Sequence, residues 1–367
     1  MLPIVIRPAP DTSFALMDGR PVLFSEKNQK LYELDQAGAY IWCKLLEREA
    51  IGAIFDGLAG SGIERSEARQ FVRRALHQWL DLSLVDVDWD LSADFTLQTR
   101  LGGHLILIQA SSKQLLERVA PLFCDAGRGT GQRDVLIEIM AFDDQILFRV
   151  NKTWIRRCDI DGVAPAIRAY LTERVIRQGQ PNFALHAASL VSNRKGLLLC
   201  GEPGAGKSTL TLHLTDAGFQ YGGDDIVLVA PDGRAEGISF TPTVKPGSRE
   251  LISRLRSDLD DAAVHRRPDG VRVQYLPVAH VHNGSFSIER IIFLNRVEGA
   301  PAALTALGQI ESMGRVIDGS FASNGKLSRP AFVALKQTLE RAKSFELTYS
   351  DAVQARPLLV DLCHVRP

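Results

Sequence analysis

Residues 196–214 read GLLLCGEPGAGKSTLTLHL, and this stretch is the most informative one about the second half of the chain. Gly201, Gly206, Lys207 and Ser208 have the spacing of the phosphate-binding loop G-x-x-x-x-G-K-[ST]. The apolar run before the loop predicts a buried strand, and the leucines after it predict a helix that ends near Gly218. Strand, glycine-rich loop and helix in this order are the context that the motif requires. The stretch therefore predicts a nucleotide site on an α/β fold.

The chemistry of the loop follows from its residue types. Its glycines let backbone N–H groups turn towards an anion, and the following helix adds the positive end of its dipole. Lys207 can reach the β- and γ-phosphates, and the Ser208 hydroxyl can ligate Mg²⁺. We therefore expect ATP and Mg²⁺ as ligands. The predicted nucleotide-binding residues are Gly201, Glu202, Pro203, Gly204, Ala205, Gly206, Lys207, Ser208 and Thr209.

Two adjacent carboxylates follow the predicted helix, in YGGDDIVLVA at residues 221–230. Beside a phosphate site, one carboxylate can hold Mg²⁺ while the other accepts a proton from an attacking hydroxyl. Asp224 and Asp225 are the candidates for these two tasks. A solvated turn is the alternative, because Gly-Gly-Asp-Asp is favourable turn chemistry. Asp361, in LLVDL, has the more usual order of an apolar run followed by Asp and is a second candidate for the acidic partner.

Three segments together resemble the HPr serine kinase/phosphorylase family and its HPr kinase-related relatives: LHAASLV, GEPGAGKSTLTLHL and YGGDDIVLV. The resemblance spans residues 93–367 and is sharpest over 183–230. It implies that Asp224 is the general base and that Asp225 and Ser208 ligate Mg²⁺. It also implies that His186 lies near the phosphates, so that Asp224, Lys207 and His186 are the expected catalytic residues. A satisfied histidine within an apolar core strand is the alternative for His186.

The sequence departs from the bifunctional members of that family beyond the acidic pair. Their long glycine-rich signature has no counterpart, and FTPTVKPGSREL stands in its place. Neither phosphorolysis nor HPr itself as substrate therefore follows from the resemblance. Lys245, within this segment, is either a phosphate or substrate contact or an exposed structural lysine. Arg266, Arg267 and Arg272 are either a phosphate clamp or, the interpretation we favour, a solvated group.

The composition excludes several classes of protein. Lys plus Arg number 43 and Asp plus Glu number 43, which argues against binding nucleic acid by bulk charge. No run has the length of a membrane span, and the first residues lack a signal-peptide pattern. The five cysteines are scattered without a CxxC pair, which is typical of free thiols in a reducing cytoplasm. We therefore expect a cytoplasmic protein that binds neither nucleic acid nor membrane.

The first ninety residues predict a small α+β module. Residues 12–24 read as two strands joined by a turn at Asp18-Gly19, and Asp35 is typical of a helix N-cap. A second helix runs to Gly60, and a third, with Ser66 as its expected cap, shows the clearest helical periodicity of the chain. LSLVDVD closes the module as a strand. Strands, three helices and a final strand favour a winged-helix-like domain.

This module resembles the PqqD-like family, whose fold serves as the recognition element of enzymes that modify ribosomally made peptides. The resemblance rests on GRPVLFSEKNQKLYELDQAGAYIWCKL and on the helix that ends in LDLSLVDVD. It implies that the leader of a precursor peptide adds as a strand to the edge of the small sheet. Two alternatives remain open. The module binds DNA through Arg65, Arg69 and Arg73 on one helix face, or it only packs against the rest of the chain.

The rest of the chain predicts a mixed α/β domain organisation. Strand-like runs dominate residues 93–158, a helix covers VAPAIRAYLTERVIRQ, and NFALHAASLVS and ARPLLVDL are each interpreted as one strand. We expect a winged-helix-like peptide-recognition domain over 1–90. A strand-rich subdomain is expected over 93–180 and a P-loop, HPr kinase-like catalytic domain over 181–367.

Both resemblances together predict a kinase that phosphorylates a side-chain hydroxyl, Ser by preference, of a precursor peptide whose leader is bound by residues 1–90. Capture of the leader would raise the local concentration of the acceptor near the γ-phosphate. The alternatives are a regulatory serine kinase acting on a folded protein, a nucleotide-gated peptide-binding protein without transfer, and a small-molecule kinase. A homo-oligomer fits the resemblance, since HPr kinases assemble into oligomers, although no residues indicate an interface.

Overall fold

The computed structural model describes residues 4–124, 134–178, 183–321 and 327–364. Contacts between residues divide the chain into two compact units, Met1–Ser92 and Ala93–Pro367. Both units mix helices with sheets, so the fold class is α/β, as the sequence predicts.

The first unit combines two small sheets with three helices. A three-stranded antiparallel sheet has the order β2-β3-β4, and β1 pairs with β5 in a separate ribbon. The elements are β1 (Val5–Pro8), β2 (Thr12–Met17), β3 (Arg20–Ser25), β4 (Lys30–Glu33), α1 (Gln36–Leu46), α2 (Ile51–Gly60), α3 (Arg65–Asp81) and β5 (Val85–Asp88).

The turn and cap predictions for the first unit are mostly confirmed. Asp18 and Gly19 both have positive φ, 51° and 76°, as a tight hairpin between β2 and β3 requires. Asp35 caps α1, and its side chain accepts a hydrogen bond from the Gly38 N–H. The prediction for Ser66 is wrong. Residue 64 is the N-cap of α3 and makes no side-chain cap bond, so Ser66 lies within the first turn.

The core of the first unit forms where the apolar faces of its three helices meet. Trp42 of α1 and Trp79 of α3 are buried and pack edge to face, with ring centroids 5.1 Å apart. Ile54 of α2 and Val72 of α3 are fully buried in the same unit. The helical spacing of these residues explains why α1, α2 and α3 form where the periodicity predicts them.

The second unit begins with a five-stranded sheet in the order β10-β9-β8-β7-β6. β7 and β8 are parallel, and the helix α4 belongs to the crossover between them. Ser112 caps this helix by accepting from the Leu115 N–H. The elements are β6 (Thr96–Leu101), β7 (His104–Ala110), α4 (Lys113–Val119), β8 (Val135–Phe142), β9 (Gln145–Val150), β10 (Trp154–Cys158) and the helix α5 (Val163–Gln178).

A larger mixed sheet fills the rest of the second unit. Its main path runs β14-β12-β13-β20-β16-β15-β11-β22, and β23 pairs with both β20 and β21. The strand before the glycine-rich loop, β13, is parallel to β20, and β20 is parallel to β23. The first elements are β11 (Phe183–Leu185), β12 (Ala187–Ser192), β13 (Lys195–Cys200), α6 (Lys207–Thr215), β14 (Gln220–Gly223), β15 (Val227–Val229) and β16 (Arg234–Gly237).

A separate three-stranded sheet has the order β17-β19-β18. Its strands come between β16 and β20 in the sequence. The remaining elements are β17 (Thr243–Val244), α7 (Pro246–Ser253), β18 (Val264–Arg266), β19 (Arg272–Tyr275), β20 (Phe286–Arg296), β21 (Ala303–Ala306), α8 (Gln309–Asp318), β22 (Ser320–Phe321), α9 (Arg329–Arg341), β23 (Lys343–Tyr349) and α10 (Ala352–Cys363). None of the helices in the described ranges has the length and apolar character needed to span a bilayer.

Two strand predictions in the second unit are wrong. The run that contains Asp361 is the helix α10, because Asp351 caps it and the buried residues Ala352, Ala355 and Leu359 recur with helical spacing. A short apolar run cannot by itself distinguish a strand from a buried helix turn. The run NFALHAASLVS forms two strands, β11 and β12, with a break at His186.

One hydrophobic core joins the five-stranded sheet to later parts of the second unit. Ile137 and Ile139 of β8 belong to the same buried cluster as Leu228, Phe240 and Tyr275. Residues on both sides of position 180 therefore share a core. This shared core fixes α5 next to the strands that carry the candidate site.

Candidate functional site

The glycine-rich loop connects β13 to α6, and its backbone needs glycine at two places. Gly204 and Gly206 have φ of 92° and 95°, a left-handed conformation that disfavours other residues. A Cβ atom at residue 206 would lie 2.5 Å from the hydroxyl oxygen of Tyr349. Tyr349 ends β23, and its hydroxyl donates a hydrogen bond of 2.6 Å to the Ala205 carbonyl oxygen. The loop is thus held from outside by a strand that the sequence reasoning did not connect with it.

Lys207 is the first residue of α6, and its side chain folds back along the loop. Its Nζ donates to the carbonyl oxygens of Gly201 at 2.5 Å and of Glu202 at 3.4 Å. Burial lowers the pKa of the Lys207 ammonium, and the charge of Asp224 partly opposes this effect. Lys207, Ser208 and Thr209, at the start of α6, line the same cavity as Gly204 and Gly206 of the loop.

The two acidic residues lie between β14 and β15. Asp224 is buried, and its Oδ2 accepts a hydrogen bond of 3.4 Å from the Thr243 N–H. Its Oδ1 is buried and has no hydrogen-bond partner among the described residues. Burial raises the pKa of Asp224 to about 6, against the opposing effects of the Arg168 charge and the Ser208 hydroxyl. This carboxyl group is therefore half-ionised at about pH 6.

Asp225 has the opposite character. Its Oδ1 lies 3.2 Å from Nδ1 of His186, and its Oδ2 lies 3.6 Å from a terminal nitrogen of Arg168. Burial raises the pKa of Asp225, but the hydrogen bond from His186 and the charges of Arg168 and Lys245 outweigh burial and lower it to about 2. Adjacent carboxyl groups in the same site thus differ widely in their affinity for a proton.

His186 lies in the break between β11 and β12, where its backbone N–H donates to the Gly319 carbonyl at 2.9 Å. Its side chain is 40% exposed and contacts Asp225. The alternative of a histidine within an apolar core strand is therefore wrong for this chain. The break turns the ring out of the sheet and towards the acidic pair.

Arg168, on α5, is the site residue that the sequence reasoning missed. It lies next to Ile167, at the edge of the buried face of the helix, and its side chain is 15% exposed. An arginine beside a buried helical face is the one signal that the sequence offers for it. The charge of Arg168 acts on both Asp224 and Asp225.

One cavity of about 1070 Å³ collects most of these side chains. It lies between the loop, the acidic pair, α5 and the start of α7, and it is also lined by Arg168, Thr243, Lys245 and Arg267. The predicted site residues that line it are His186, Pro203, Gly204, Gly206, Lys207, Ser208, Thr209, Asp224 and Asp225.

Most of the other candidates lie away from the cavity walls. The Gly201, Glu202 and Ala205 carbonyls bind Lys207 or Tyr349, which fixes the shape of the loop. Asp361 is on α10 and is not among the lining residues. Of the three arginines near β18 and β19, Arg267 lines the cavity and pairs with Asp269, whereas Arg266 pairs with Asp159.

The oxygen groups beside the loop fit a magnesium ion. Mg²⁺ prefers hard oxygen ligands and usually combines one or two carboxylates with substrate phosphates. The Ser208 hydroxyl and the ionised Asp225 carboxylate are such oxygens. Within the described residues, no three His, Cys, Asp or Glu side chains form a cage that could hold a metal by themselves. A site of this kind would therefore use the phosphates of a nucleotide as further ligands.

No family model matches the chain, and no curated protein matches it either. Several solved structures, among them the following two, resemble parts of it. The structure of TbiB1 in complex with the TbiA(beta) leader peptide covers 22% of this chain and 94% of that one, with 21% identity and a TM-score of 0.21. The HPr(Ser) kinase/phosphatase from Coxiella burnetii covers 49% of this chain and 93% of its own, with 15% identity and a TM-score of 0.25. They represent the two kinds of protein that the sequence motifs resemble.

Proposed function

We propose that this protein is an ATP-dependent kinase that phosphorylates a side-chain hydroxyl, Ser by preference, of a ribosomally synthesised precursor peptide. One observation carries the proposal: a phosphate loop with Lys207 faces two adjacent carboxylates of opposite character in a single cavity. A carboxylate that stays ionised suits a cation, and one that titrates near neutral pH suits a proton.

The nucleotide side of the site is formed by the loop and α6. The loop amides and Lys207 hold the phosphates of ATP, and the N-terminus of α6 adds its dipole. Ser208 and Asp225 would hold Mg²⁺, which when bound neutralises charge on the phosphates. His186, by its hydrogen bond to Asp225, keeps that carboxylate facing the phosphates.

The transfer step needs a base beside the acceptor, and Asp224 takes that role. The acceptor oxygen forms a bond to the γ-phosphorus while the bond between that phosphorus and the bridging oxygen of ADP breaks. The hydroxyl proton passes to Asp224, and ADP leaves with the electron pair of the broken bond. Asp224 lines the cavity, and its raised pKa suits the group that takes this proton.

The first unit supplies the peptide part of the proposal. In its three-stranded sheet, the described residues of β2 and β4 each pair only with β3, so both are edge strands. An extended peptide can add to such an edge through backbone hydrogen bonds, with side-chain contacts setting its register. We propose that the leader of the precursor binds residues 1–90 in this manner, on a winged-helix-like domain.

The test uses the full chain, Mg-ATP and the small peptide encoded beside its gene, followed by measurement of the intact mass of the peptide. We expect a gain of one phosphate, which is lost when the leader is removed. Equal phosphorylation of a leaderless substrate would favour a regulatory kinase acting on a folded protein. ATP-dependent peptide binding without a mass change would favour a nucleotide-gated binding protein.

A further inference from the structure

Arg168 is linked to both carboxylates of the site at once. A terminal nitrogen lies 3.6 Å from Oδ2 of Asp225. The other terminal nitrogen donates to the Thr243 hydroxyl oxygen at 2.8 Å, and the Thr243 N–H in turn donates to Asp224 at 3.4 Å. One guanidinium therefore connects α5 directly to Asp225 and, through one threonine, to Asp224.

The guanidinium is held in its plane by further contacts. It also donates to the Thr241 carbonyl oxygen at 3.3 Å, and it lies over the ring of Phe240 at 5.1 Å from the centroid. Phe240 is 2% exposed, so this face of the guanidinium is shielded from water. The side chain is thus fixed on one side by the buried Phe240 ring and on another by Thr241 and Thr243, which lie just before and at the start of β17.

Asp225 is held from two directions. His186 contacts its Oδ1 and Arg168 contacts its Oδ2, while half of the side chain stays exposed towards the cavity. An ionised carboxylate offers about four acceptor positions, so two such contacts leave capacity for a cation. Contacts of this kind orient a ligand group before the metal binds.

We propose that Arg168 is a positioning residue that fixes the Asp225 carboxylate in the orientation required to bind Mg²⁺ next to the phosphate loop. The inference rests on the proposed function for the presence of Mg-ATP, but it does not require that phosphate is transferred. Arginine is needed because its planar fork serves Asp225 and Thr243 together. A lysine ammonium sits on a flexible stem and has no rigid fork, so it does not hold the two partners in one fixed plane.

The experiment measures how Mg²⁺ strengthens binding of a non-hydrolysable ATP analogue to the full chain. For Arg168→Lys, which keeps the charge, we expect the Mg²⁺ concentration at half-effect to rise about tenfold. Affinity for the analogue in EDTA should stay within about twofold of wild type, since the loop itself is intact. No peptide or transfer is involved, so failure of the kinase proposal would leave this titration interpretable.

Arg174→Lys is the matched control. Arg174 lies on the same helix, donates to the Tyr170 hydroxyl at 3.3 Å and does not line the cavity. We expect its Mg²⁺ curve to equal that of wild type. A second variant, Thr243→Val, removes one anchor of Arg168 with little change in shape, and a smaller shift in the same direction is expected.

Two results would overturn the inference. A wild-type Mg²⁺ curve for Arg168→Lys would show that the fork has no positioning role. An equal loss of affinity in EDTA would mean that Arg168 contacts the nucleotide itself. Thermal unfolding of each variant shows whether it is folded, and if Arg168→Lys does not fold, the Thr243→Val curve decides alone.

Discussion

The hydroxyl of Tyr349 donates a hydrogen bond of 2.6 Å to the carbonyl oxygen of Ala205, inside the phosphate loop. Burial raises the pKa of Tyr349 to about 12, so the hydroxyl stays a donor throughout the physiological range. The bond fixes the direction in which the Ala205 carbonyl points. It therefore favours one conformation of the glycine-rich loop, the one on which the proposed phosphate binding depends.

Tyr349→Phe should weaken nucleotide binding without unfolding the protein. Loss of one buried hydrogen bond of this type costs about 0.5–1.5 kcal/mol, which corresponds to a few-fold to about tenfold in the dissociation constant. Isothermal titration with the non-hydrolysable ATP analogue in the presence of Mg²⁺ would measure it. Unchanged affinity would mean that the loop keeps its shape without the bond.

Gly206→Ala should be more harmful, and its effect should depend on Tyr349. The added Cβ would lie 2.5 Å from the tyrosine hydroxyl, and φ of 95° is itself unfavourable for alanine. Removing the hydroxyl relieves the first problem and leaves the second. We therefore expect the Gly206→Ala change to reduce affinity less in the Tyr349→Phe background than in wild type. Additive losses in this double-mutant cycle would contradict the close contact.

Much of the fold near the loop follows from local sequence. The motif fixes a strand, a loop and a helix because its glycines, lysine and flanking apolar runs each favour the same structure. The helix α5 has the bounds that its periodicity predicts, and Asp18-Gly19 forms the expected turn. In these places the local preference and the packed structure agree.

The rest of the site depends on contacts that are distant in sequence. Tyr349 and Ala205 are 144 positions apart, and nothing local marks either of them as a partner of the other. Arg168 reaches the acidic pair because a shared core holds α5 near Phe240, and because Thr243 accepts a hydrogen bond from the arginine. Apolar periodicity shows which face of a helix is buried, but not which loop that face will meet.

The pH dependence of transfer should follow Asp224. Its pKa is about 6, so the carboxylate is mostly ionised at pH 7.5 and mostly protonated at pH 5. Because a protonated carboxyl group cannot take the proton of the acceptor hydroxyl, kcat/KM should rise with pH through about 6 and then level off.

Asp224→Asn should keep nucleotide binding and lose transfer. A wild-type rate in that variant would remove Asp224 from the role of base.

The same pKa makes a prediction about stability, with a definite sign. The pKa of Asp224 is about 6 in the folded protein and 3.8 in the unfolded chain. The ionised form of Asp224 therefore opposes folding, with its full effect above about pH 6. Asp224→Asn should therefore raise the free energy of unfolding at pH 8 in EDTA, by at most about 3 kcal/mol. The gain should shrink as pH falls through 6 and vanish near pH 4.

Asp225→Asn should act in the opposite direction. The pKa of Asp225 is lowered to about 2, so its ionised form stabilises the fold above pH 4, and this contribution is lost as pH falls through 2. The side chain is half exposed, so solvent screening makes the loss small. Denaturant unfolding of both variants at pH 8 in EDTA would measure the contrast. Changes of the same sign in the free energy of unfolding would contradict the opposite effects that the ionised forms of Asp224 and Asp225 have on stability.

Leader capture by the first unit should be visible as competition. If residues 1–90 bind the leader and the cavity of the second unit binds the acceptor serine, a free leader peptide occupies only the first of these sites. Excess free leader should therefore raise the KM for the full precursor and leave kcat unchanged. A leader with two prolines in place of central residues is the control, because proline lacks the N–H that pairing with an edge strand requires. Inhibition by both peptides alike, or by neither, would argue against addition to an edge strand, since only backbone pairing separates the two.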